Sequence, residues 1–233
     1  MRSALAAGAP VQELVLSSRS VAFTDTLPRD PERLLDVYVV PDSIFARMSD
    51  VEQSQGVLAV LDEAPVSWEA IRDADRIVAL DAVQDPGNVG SIIRTAAWFG
   101  IDAVLSGPGT ADFFNPKVVR ASMGGLWAVQ LAVVADLPAA VDSLSKSGYL
   151  AYGADAGGVP VNAWRPVLPS LVVLGSEAHG ISGNVLRSLR GLVAVPGQPG
   201  PVEALNVSVA FGAIAHEWVG RHVDTQAPLP GQS

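Results

Sequence analysis

The chain has 233 residues, of which 49% are hydrophobic and 17% charged, a composition typical of a folded globular protein rather than a disordered one. It has no cysteine, which excludes disulfides, thiolate metal sites and a cysteine nucleophile. Its formal net charge of -9 opposes indiscriminate attraction to a polyanion, so any nucleic-acid contacts would have to be local.

The sequence has no pattern typical of a membrane-spanning or exported protein. No stretch of about 18 apolar residues runs without charged or turn-forming residues, and the short apolar start is interrupted by Gly8 and Pro10. We therefore expect a cytoplasmic protein without a membrane span. The three histidines, His179, His216 and His222, lack the spacing of a zinc site, so we expect no metal.

The first 70 residues predict a small α/β domain. Short apolar runs separated by turn-rich or charged segments favour strands, and residues 44–48 favour a helix between two of them. Because residues 2–7 already have helical character, we expect this domain to lack a strand or helix at its start. The predicted strands are VQELVLS at 11–17, LDVYVV at 35–40 and GVLAVLD at 56–62.

The charged, proline-containing segment 64–76 predicts a linker, with a domain boundary near Asp75. From 76 to 222 strand-like and helix-like segments alternate, which implies a mainly parallel sheet with helices on both faces. The tail, 223–233, is expected to be disordered. The predicted strands are 76–81, 102–107, 128–134, 149–154, 171–175 and 192–196, and the predicted helices are 89–100, 116–123, 137–147, 182–189 and 203–219.

Ligands of open α/β sheets bind beyond the carboxyl ends of the strands, and three glycine-rich turns are predicted there. In the first, DPGNVGSIIRT at 85–95, Asn88 suits a helix N-cap and Gly90 permits close backbone approach. Arg94 and Trp98 fall outside the expected buried stripe and so point to a surface or a cleft, although the spacing alone is more typical of a capped helix with a solvated arginine. The stripe comprises Ile92, Ala96 and Phe99.

The second turn is LVVLGSEAHGIS at 171–182, where an apolar strand ends in Gly175. Glu177 is either a charge that favours a helix start or a site residue. His179 is more typical of an exposed loop histidine than of a catalytic base.

In the third turn, the PGQPGP stretch at 196–201 cannot form regular structure. Asn206 and Ser208 then lie in the first turns of a helix that is apolar on nearly every side, which predicts a buried helix. The two polar residues either satisfy backbone amides at the helix start or belong to a site. The dinucleotide-binding fingerprint and the phosphate-loop lysine motif are both missing, which argues against dehydrogenases and phosphate-loop enzymes.

Three segments, taken in order, resemble the motifs of the SpoU (TrmH) family of RNA ribose 2'-O-methyltransferases, part of the SPOUT superfamily. They are NVGSIIRTA at 88–96, LGSEAHGIS at 174–182, and VPG at 195–197 followed by LNVSVAFG at 205–212. The resemblance covers residues 76 to 221. It implies a C-terminal trefoil knot, S-adenosylmethionine bound in the knotted loops, a homodimer, and rRNA or tRNA as substrate.

The same resemblance implies two sets of site residues. Arginine is a poor base because its guanidinium stays protonated, so we expect Arg94 to grip a phosphate or ribose and stabilise developing oxyanion charge. It would act as a base only if the complex made it far more acidic. The implied catalytic residues are Arg94, Asn88, Glu177, Asn206 and Ser208. The implied cofactor-binding residues, which act through backbone groups, are Leu174, Gly175, Val195, Pro196 and Leu205.

The first domain is similar to the ribosomal-protein-like RNA-binding domain of many family members, with Arg2 to Leu5 and Gln55 to Val57 matching its typical segments. Local RNA contacts through Arg94, Lys117, Arg120, Arg2 and Arg19 would reconcile RNA binding with the acidic net charge. Phe211, Ile214 and Trp218 are compatible with a helix-mediated dimer interface.

Two departures from the family pattern affect the methionine end of the cofactor site. The third-motif loop is slightly longer than usual, and Ala204 replaces a common serine. Three other functions fit parts of the sequence. They are a non-catalytic RNA-binding or ribosome-assembly protein on the same fold, an antibiotic-resistance rRNA methyltransferase, and an enzyme that methylates a small molecule.

Overall fold

The structure, a computed structural model, divides the chain into two compact units, Met1–Ala64 and Pro65–Ser233. The division falls earlier than the boundary expected near Asp75. The expected linker forms a 3-10 helix, Trp68–Ile71, and Ile71 and Ala74 are buried in the core of the second unit. The described residues are 5, 9–26, 36–49, 51, 53–62, 65–198 and 204–220.

The first unit contains a three-stranded sheet of order β2-β1-β3, with β2 parallel and β3 antiparallel to β1. The three predicted strands and the predicted helix are therefore confirmed. Leu14, Leu16 and Phe45 are buried. Apart from Leu5, the predicted helical residues 2–7 lie outside the described residues, as does the tail. The elements are β1 (Val11–Ser17), a 3-10 helix (Ser18–Thr26), β2 (Asp36–Val40), α1 (Asp42–Met48) and β3 (Val57–Leu61).

The second unit is a six-stranded parallel sheet of order β6-β5-β4-β8-β7-β9. The predicted α/β fold with a mainly parallel sheet is confirmed. The elements are β4 (Arg76–Asp81), α2 (Pro86–Phe99), β5 (Ala103–Ser106), α3 (Pro116–Ala121), a 3-10 helix (Gly125–Trp127), β6 (Gln130–Val133), α4 (Leu137–Lys146), β7 (Leu150–Pro160), β8 (Ser170–Gly175), α5 (Gly183–Leu186), β9 (Gly191–Ala194) and α6 (Val207–Gly220).

Helices cover both faces of this sheet, because alternate residues of each buried strand supply different cores. Val78 and Leu80 of β4 pack in one core with apolar residues of α2 and α6. Ile77 and Ala79 pack in the other with residues of α4 and Val185 of α5. Within the described ranges, no helix is long and apolar enough to cross a membrane.

Several helices are shorter than the sequence predicted, and α5 and α6 differ the most. Helix α5 ends at Leu186 because the amides of Ser188 and Leu189 make tight-turn bonds to the carbonyls of Val185 and Leu186. Helix α6 begins at Val207 and not at 203.

The prediction that the last helix is buried is confirmed for only part of its surface. Phe211, Ile214 and Trp218 are buried on one face, whereas Val209 on another is 57% exposed. An apolar helix sequence predicts burial but does not define which part of its surface a neighbour covers.

The chain order reverses beside β4, which positions the site. From β4 the chain adds β5 and β6 on one side, whereas β8, β7 and β9 lie on the other. At the carboxyl ends of the two central strands, Asp81 of β4 is paired in register with Gly175 of β8. This is the switch point at which open α/β sheets bind their ligands.

Candidate active site at the switch point

The first glycine-rich turn begins helix α2, and its N-cap is Asp85 and not Asn88 as predicted. The Asp85 Oδ1 atom accepts a hydrogen bond of 2.8 Å from the Asn88 amide, and Pro86 occupies the first helical position. An aspartate before a proline is a favourable helix start, which competes with the asparagine three residues later. As a result the Asn88 side chain is free of capping and points to other turns.

The Asn88 carboxamide joins the second and third turns. Its Nδ2 atom donates to Glu177 Oε1 at 2.5 Å, and its Oδ1 atom accepts from Asn206 Nδ2 at 2.9 Å. The Ser208 hydroxyl lies 3.5 Å from the same Oδ1 atom. These contacts span 89, 118 and 120 positions of sequence, so the fold brings four of the five expected catalytic residues together.

Asn206 both caps a helix and belongs to this cluster. Its Oδ1 atom accepts from the amides of Ser208 at 3.0 Å and Val209 at 3.4 Å, and from the Ser208 hydroxyl at 2.7 Å. The interpretation that Asn206 satisfies backbone amides is therefore confirmed, since its oxygen bonds to the start of α6, and its nitrogen also reaches Asn88. We call Asn88, Glu177, Asn206 and Ser208 the amide cluster.

Glu177 lies at the tip of a short hairpin formed by residues 176–180. Reciprocal backbone bonds between Ser176 and Gly180, of 3.1 and 2.8 Å, close this hairpin. The side chains of Glu177 and His179 are exposed at its tip, and His179 is the exposed loop histidine that the sequence predicted. The hairpin is closed within itself, so Glu177 moves with the hairpin as a unit and its position depends on how the hairpin is held.

Two glycines are required by close packing within the chain. A Cβ atom on Gly90 would lie 2.5 Å from the Ala121 Cβ, which confirms that this residue permits close approach of α2 and α3. A Cβ atom on Gly175 would lie 2.2 Å from the carbonyl carbon of Gly180. The structure thus accounts for Gly175 by its contact with the hairpin, independently of any ligand.

Arg94 is the one expected catalytic residue outside the amide cluster. It lies on the exposed face of α2, and its side chain makes no hydrogen bond or ion pair with any described residue. Trp98, one turn further along, is 83% exposed. The prediction that both side chains avoid the buried stripe is confirmed, since Ile92 and Ala96 are buried and Phe99 packs against the core.

The expected cofactor-binding residues lie in two segments beyond the sheet. Leu174 is buried at the end of β8, whereas Val195 and Pro196 follow β9 and Leu205 precedes α6. Leu205 is 51% exposed. Within the described part of the chain, the backbone groups of Val195 and Leu205 make no hydrogen bond, so they remain available to a ligand.

Sequence reasoning missed two carboxylates of this region. Asp85 could have been found, since the aspartate–proline pair is a known helix-start signal. Asp81 could not: its Oδ2 atom accepts a hydrogen bond of 2.7 Å from the amide of Ser182, which is 101 positions away. No group of metal-ligating side chains occurs among the described residues.

Fold and geometry together define an α/β protein whose candidate site lies at the switch point of a parallel sheet. The chain belongs to the SpoU rRNA Methylase family, which matches residues 75–216. It is 33% identical over 195 residues to the 23S rRNA (guanosine(2553)-2'-O)-methyltransferase RlmP of Bacillus subtilis strain 168, an alignment that covers 83% of this chain and 77% of that protein.

Two solved structures are similar to this one. An rRNA methyltransferase from Sinorhizobium meliloti with AdoMet bound has a TM-score of 0.81 at 25% identity, covering 95% of this chain and 84% of that one. A TrmH-family protein from Porphyromonas gingivalis has a TM-score of 0.78 at 32% identity, covering 94% and 88%. The similarity extends over nearly the whole chain.

Proposed function

We propose that this protein transfers a methyl group from S-adenosylmethionine to a ribose 2'-hydroxyl of ribosomal RNA. The observation that carries the proposal is the amide cluster: Asn88 of the first turn bonds to Glu177 of the second and Asn206 of the third. Family membership supports the reaction class, and the named activity of the B. subtilis relative supports ribosomal RNA as the substrate.

The two segments beyond β8 and β9 suit S-adenosylmethionine. The backbone groups of Val195 and Leu205, which bond to no described residue, can recognise the edge of an adenine. Gly175 and Pro196 supply adjacent surface, and Leu174 is buried beneath it. When bound, the cofactor supplies an electrophilic methyl group on a positively charged sulfur. The protein's contribution is to hold the acceptor ribose in line with that group and to exclude alternative geometries.

The amide cluster fixes the orientation of its own members. An ionised carboxylate only accepts hydrogen bonds, so Glu177 selects the nitrogen end of the Asn88 carboxamide. The oxygen end of Asn88 then faces Asn206, whose own oxygen faces the start of α6. We infer that this chain of directed bonds locks the first turns of α2 and α6 against the hairpin and so shapes the reaction site.

Arg94 supplies what the amide cluster lacks, a cation whose donors bond to no described residue. Its planar guanidinium can hold two phosphate oxygens, or a phosphate and the developing oxyanion, in a fixed geometry. Lys117 and Arg120 add charge nearby, because α3 packs on α2, and residues 113–135 contain no acidic residue. We propose that RNA is bound through this local positive surface, which explains how an acidic protein can act on a polyanion.

We also propose a homodimer whose interface includes the outer face of α2. Trp98 is the most exposed large apolar side chain among the described residues, and a tryptophan exposed to 83% is typical of an interface anchor. Phe211, Ile214 and Trp218 cannot serve as predicted, because their side chains are buried within the protomer. The C-terminal trefoil knot and the cytoplasmic location implied by the family belong to the same proposal.

Light scattering after gel filtration tests the interface. We expect a dimer for the wild type and a monomer for Trp98→Glu, which would bury a charge in the interface. Val133→Glu is the matched control, because Val133 is also exposed, to 60%, but lies on edge strand β6. Dissociation by both variants, or by neither, would contradict the proposed interface.

The enzyme activity is tested by two measurements on one preparation. Calorimetric titration with S-adenosylmethionine should show binding, and transfer of tritiated methyl groups to rRNA from a strain lacking this protein should follow. The labelled site should resist alkaline cleavage, because 2'-O-methylation removes the nucleophilic hydroxyl. RNA binding without methyl transfer would contradict the enzyme function and favour the alternative, a non-catalytic RNA-binding or ribosome-assembly protein on the same fold.

A further inference from the structure

The hairpin at residues 176–180 is connected to the first-motif region at both its tip and its base. At the tip, Glu177 accepts the hydrogen bond from Asn88. At the base, Asp81 accepts the amide of Ser182 through Oδ2 at 2.7 Å. Asp81 ends strand β4, which leads into the first glycine-rich turn that contains Asn88. Both connections therefore join this turn region to the hairpin region.

The end of strand β4 is a rigid platform for Asp81. The carbonyl of the preceding residue, Leu80, accepts bonds from the Gly107 amide at 3.0 Å and the Thr110 hydroxyl at 3.1 Å. The following residue, Ala82, is held at φ 57°, a left-handed conformation that costs energy for a residue other than glycine. The Asp81 side chain between two such fixed residues can define the position of the segment that it binds, which begins at Ser182.

Loss of the Asp81 bond would act on position more than on folding. Ser182 is exposed, so water can replace the carboxylate at its amide. Without this bond the base of the hairpin is held by Ile181, which is buried, and by the close contact of Gly175 with Gly180. The tip that carries Glu177 would then be free to move relative to Asn88.

We propose that Asp81 is a positioning residue for methyl transfer, which acts by holding the base of the hairpin so that Glu177 meets Asn88. The inference rests on the proposed function, since it assigns a role in that reaction. It predicts that Asp81→Ala lowers kcat about tenfold, because small displacements of a positioning group have large effects on rate, and leaves the melting temperature close to that of the wild type.

Asp102→Ala is the matched control. Asp102 also accepts a backbone amide through Oδ2, that of Arg76 at 2.9 Å, but at the amino end of β4, away from the switch point. If the loss of any carboxylate-to-amide bond on this strand slows the reaction, both variants will have a low kcat. We expect a low kcat for Asp81→Ala alone, with Asp81→Asn restoring most of it because its carbonyl oxygen is still an acceptor.

A double-mutant cycle shows whether Asp81 acts through Glu177. We expect kcat of Asp81→Ala with Glu177→Gln to fall no further than that of Glu177→Gln alone. Independent, multiplicative losses would overturn the proposal. Hydrogen exchange of the amides at 176–182 should become faster in Asp81→Ala and remain slow in Asp81→Asn; unchanged exchange in Asp81→Ala would overturn it as well.

The design separates this inference from the proposed function. A wild-type protein without methyl transfer to rRNA would refute the function, and hydrogen exchange would then decide by itself whether Asp81 holds the hairpin. A wild type with normal transfer and an unaffected Asp81→Ala variant would refute the inference alone.

Discussion

The two functional stretches of helix α2 differ in how far the fold completes them. In the first turn, Asn88 is bonded to two other turns of the chain. Two turns later, the side chains of Arg94 and Trp98 are exposed and bond to no described residue. The fold therefore assembles one part of the proposed site by itself, whereas the other part faces outward, where we propose that RNA or a second copy of the chain binds.

The strongest way to break the assembled part is to separate its hairpin from the sheet. In Gly175→Ala, the new Cβ atom would lie 2.2 Å from the Gly180 carbonyl carbon. This clash can be relieved only if the backbone of residue 175 or of residue 180 moves. We expect a loss of about 3 kcal/mol in the free energy of unfolding. Urea titration measures it, with Gly183→Ala as control because a Cβ there meets nothing within 4 Å. Equal stability of the two variants would show that the hairpin adapts.

Arg94→Lys tests the unassembled part. Lysine keeps the charge but loses the planar fork, so we expect kcat to fall about a hundredfold, as when a charge-stabilising donor is removed. Calorimetry should give unchanged affinity for S-adenosylmethionine, because Arg94 makes no hydrogen bond with the described residues of the proposed cofactor segments. Near-normal turnover would remove Arg94 from the reaction, and weakened cofactor binding would show that the two parts of α2 are not separate.

Asn88→Ala tests how the assembled part contributes to rate. It leaves Glu177 and Asn206 without their shared partner, and we expect kcat to fall about tenfold through loss of alignment. Asn88→Asp is the sharper companion variant. The aspartate is nearly isosteric with asparagine but places a carboxylate oxygen where Asn88 Nδ2 now donates to Glu177 at 2.5 Å. Repulsion between the two carboxylates should therefore make Asn88→Asp slower than Asn88→Ala. An Asn88→Asp variant faster than Asn88→Ala would contradict the directed bonding.

The sequence predicted the assembled part only through its resemblance to a family. Periodicity located α2 and the strands, and placed Arg94 and Trp98 outside the buried stripe, because these depend on local pattern. It could not bring Glu177 to Asn88, since that contact depends on β8 lying beside β4. The same limit applies to Asp81 and Ser182, whose contact joins the ends of segments far apart in sequence.

Local competition explains the errors that remained. Asn88 and Asp85 are both good N-caps, and Pro86 decides between them because proline favours the first helical position. The last helix looks buried all round because its sequence is apolar, yet Val209 is exposed. An apolar residue left uncovered on a site-bearing helix is consistent with a surface that a partner covers, which the pattern of one chain does not specify.

Tyr149→Phe perturbs the second unit outside the site and has the smallest expected effect. The Tyr149 hydroxyl lies 2.8 Å from the Arg72 carbonyl and 2.5 Å from that of Ala74, within the segment first expected to be a linker. Burial, and then the carboxylates of Asp73, Asp75 and Asp102, raise the pKa of Tyr149 above its usual value. The protonated hydroxyl thus stabilises the folded state.

That stabilisation is fully present below the unfolded pKa of about 10 and is lost as the pH rises through the higher folded value. At neutral pH Tyr149→Phe should lower the free energy of unfolding by about 1 kcal/mol, without changing kcat. Above about pH 10, the unfolded pKa, the wild type should lose stability more steeply than the variant as the pH rises. Parallel pH profiles in urea titrations, or an altered kcat, would mean that this anchor is not independent of the site.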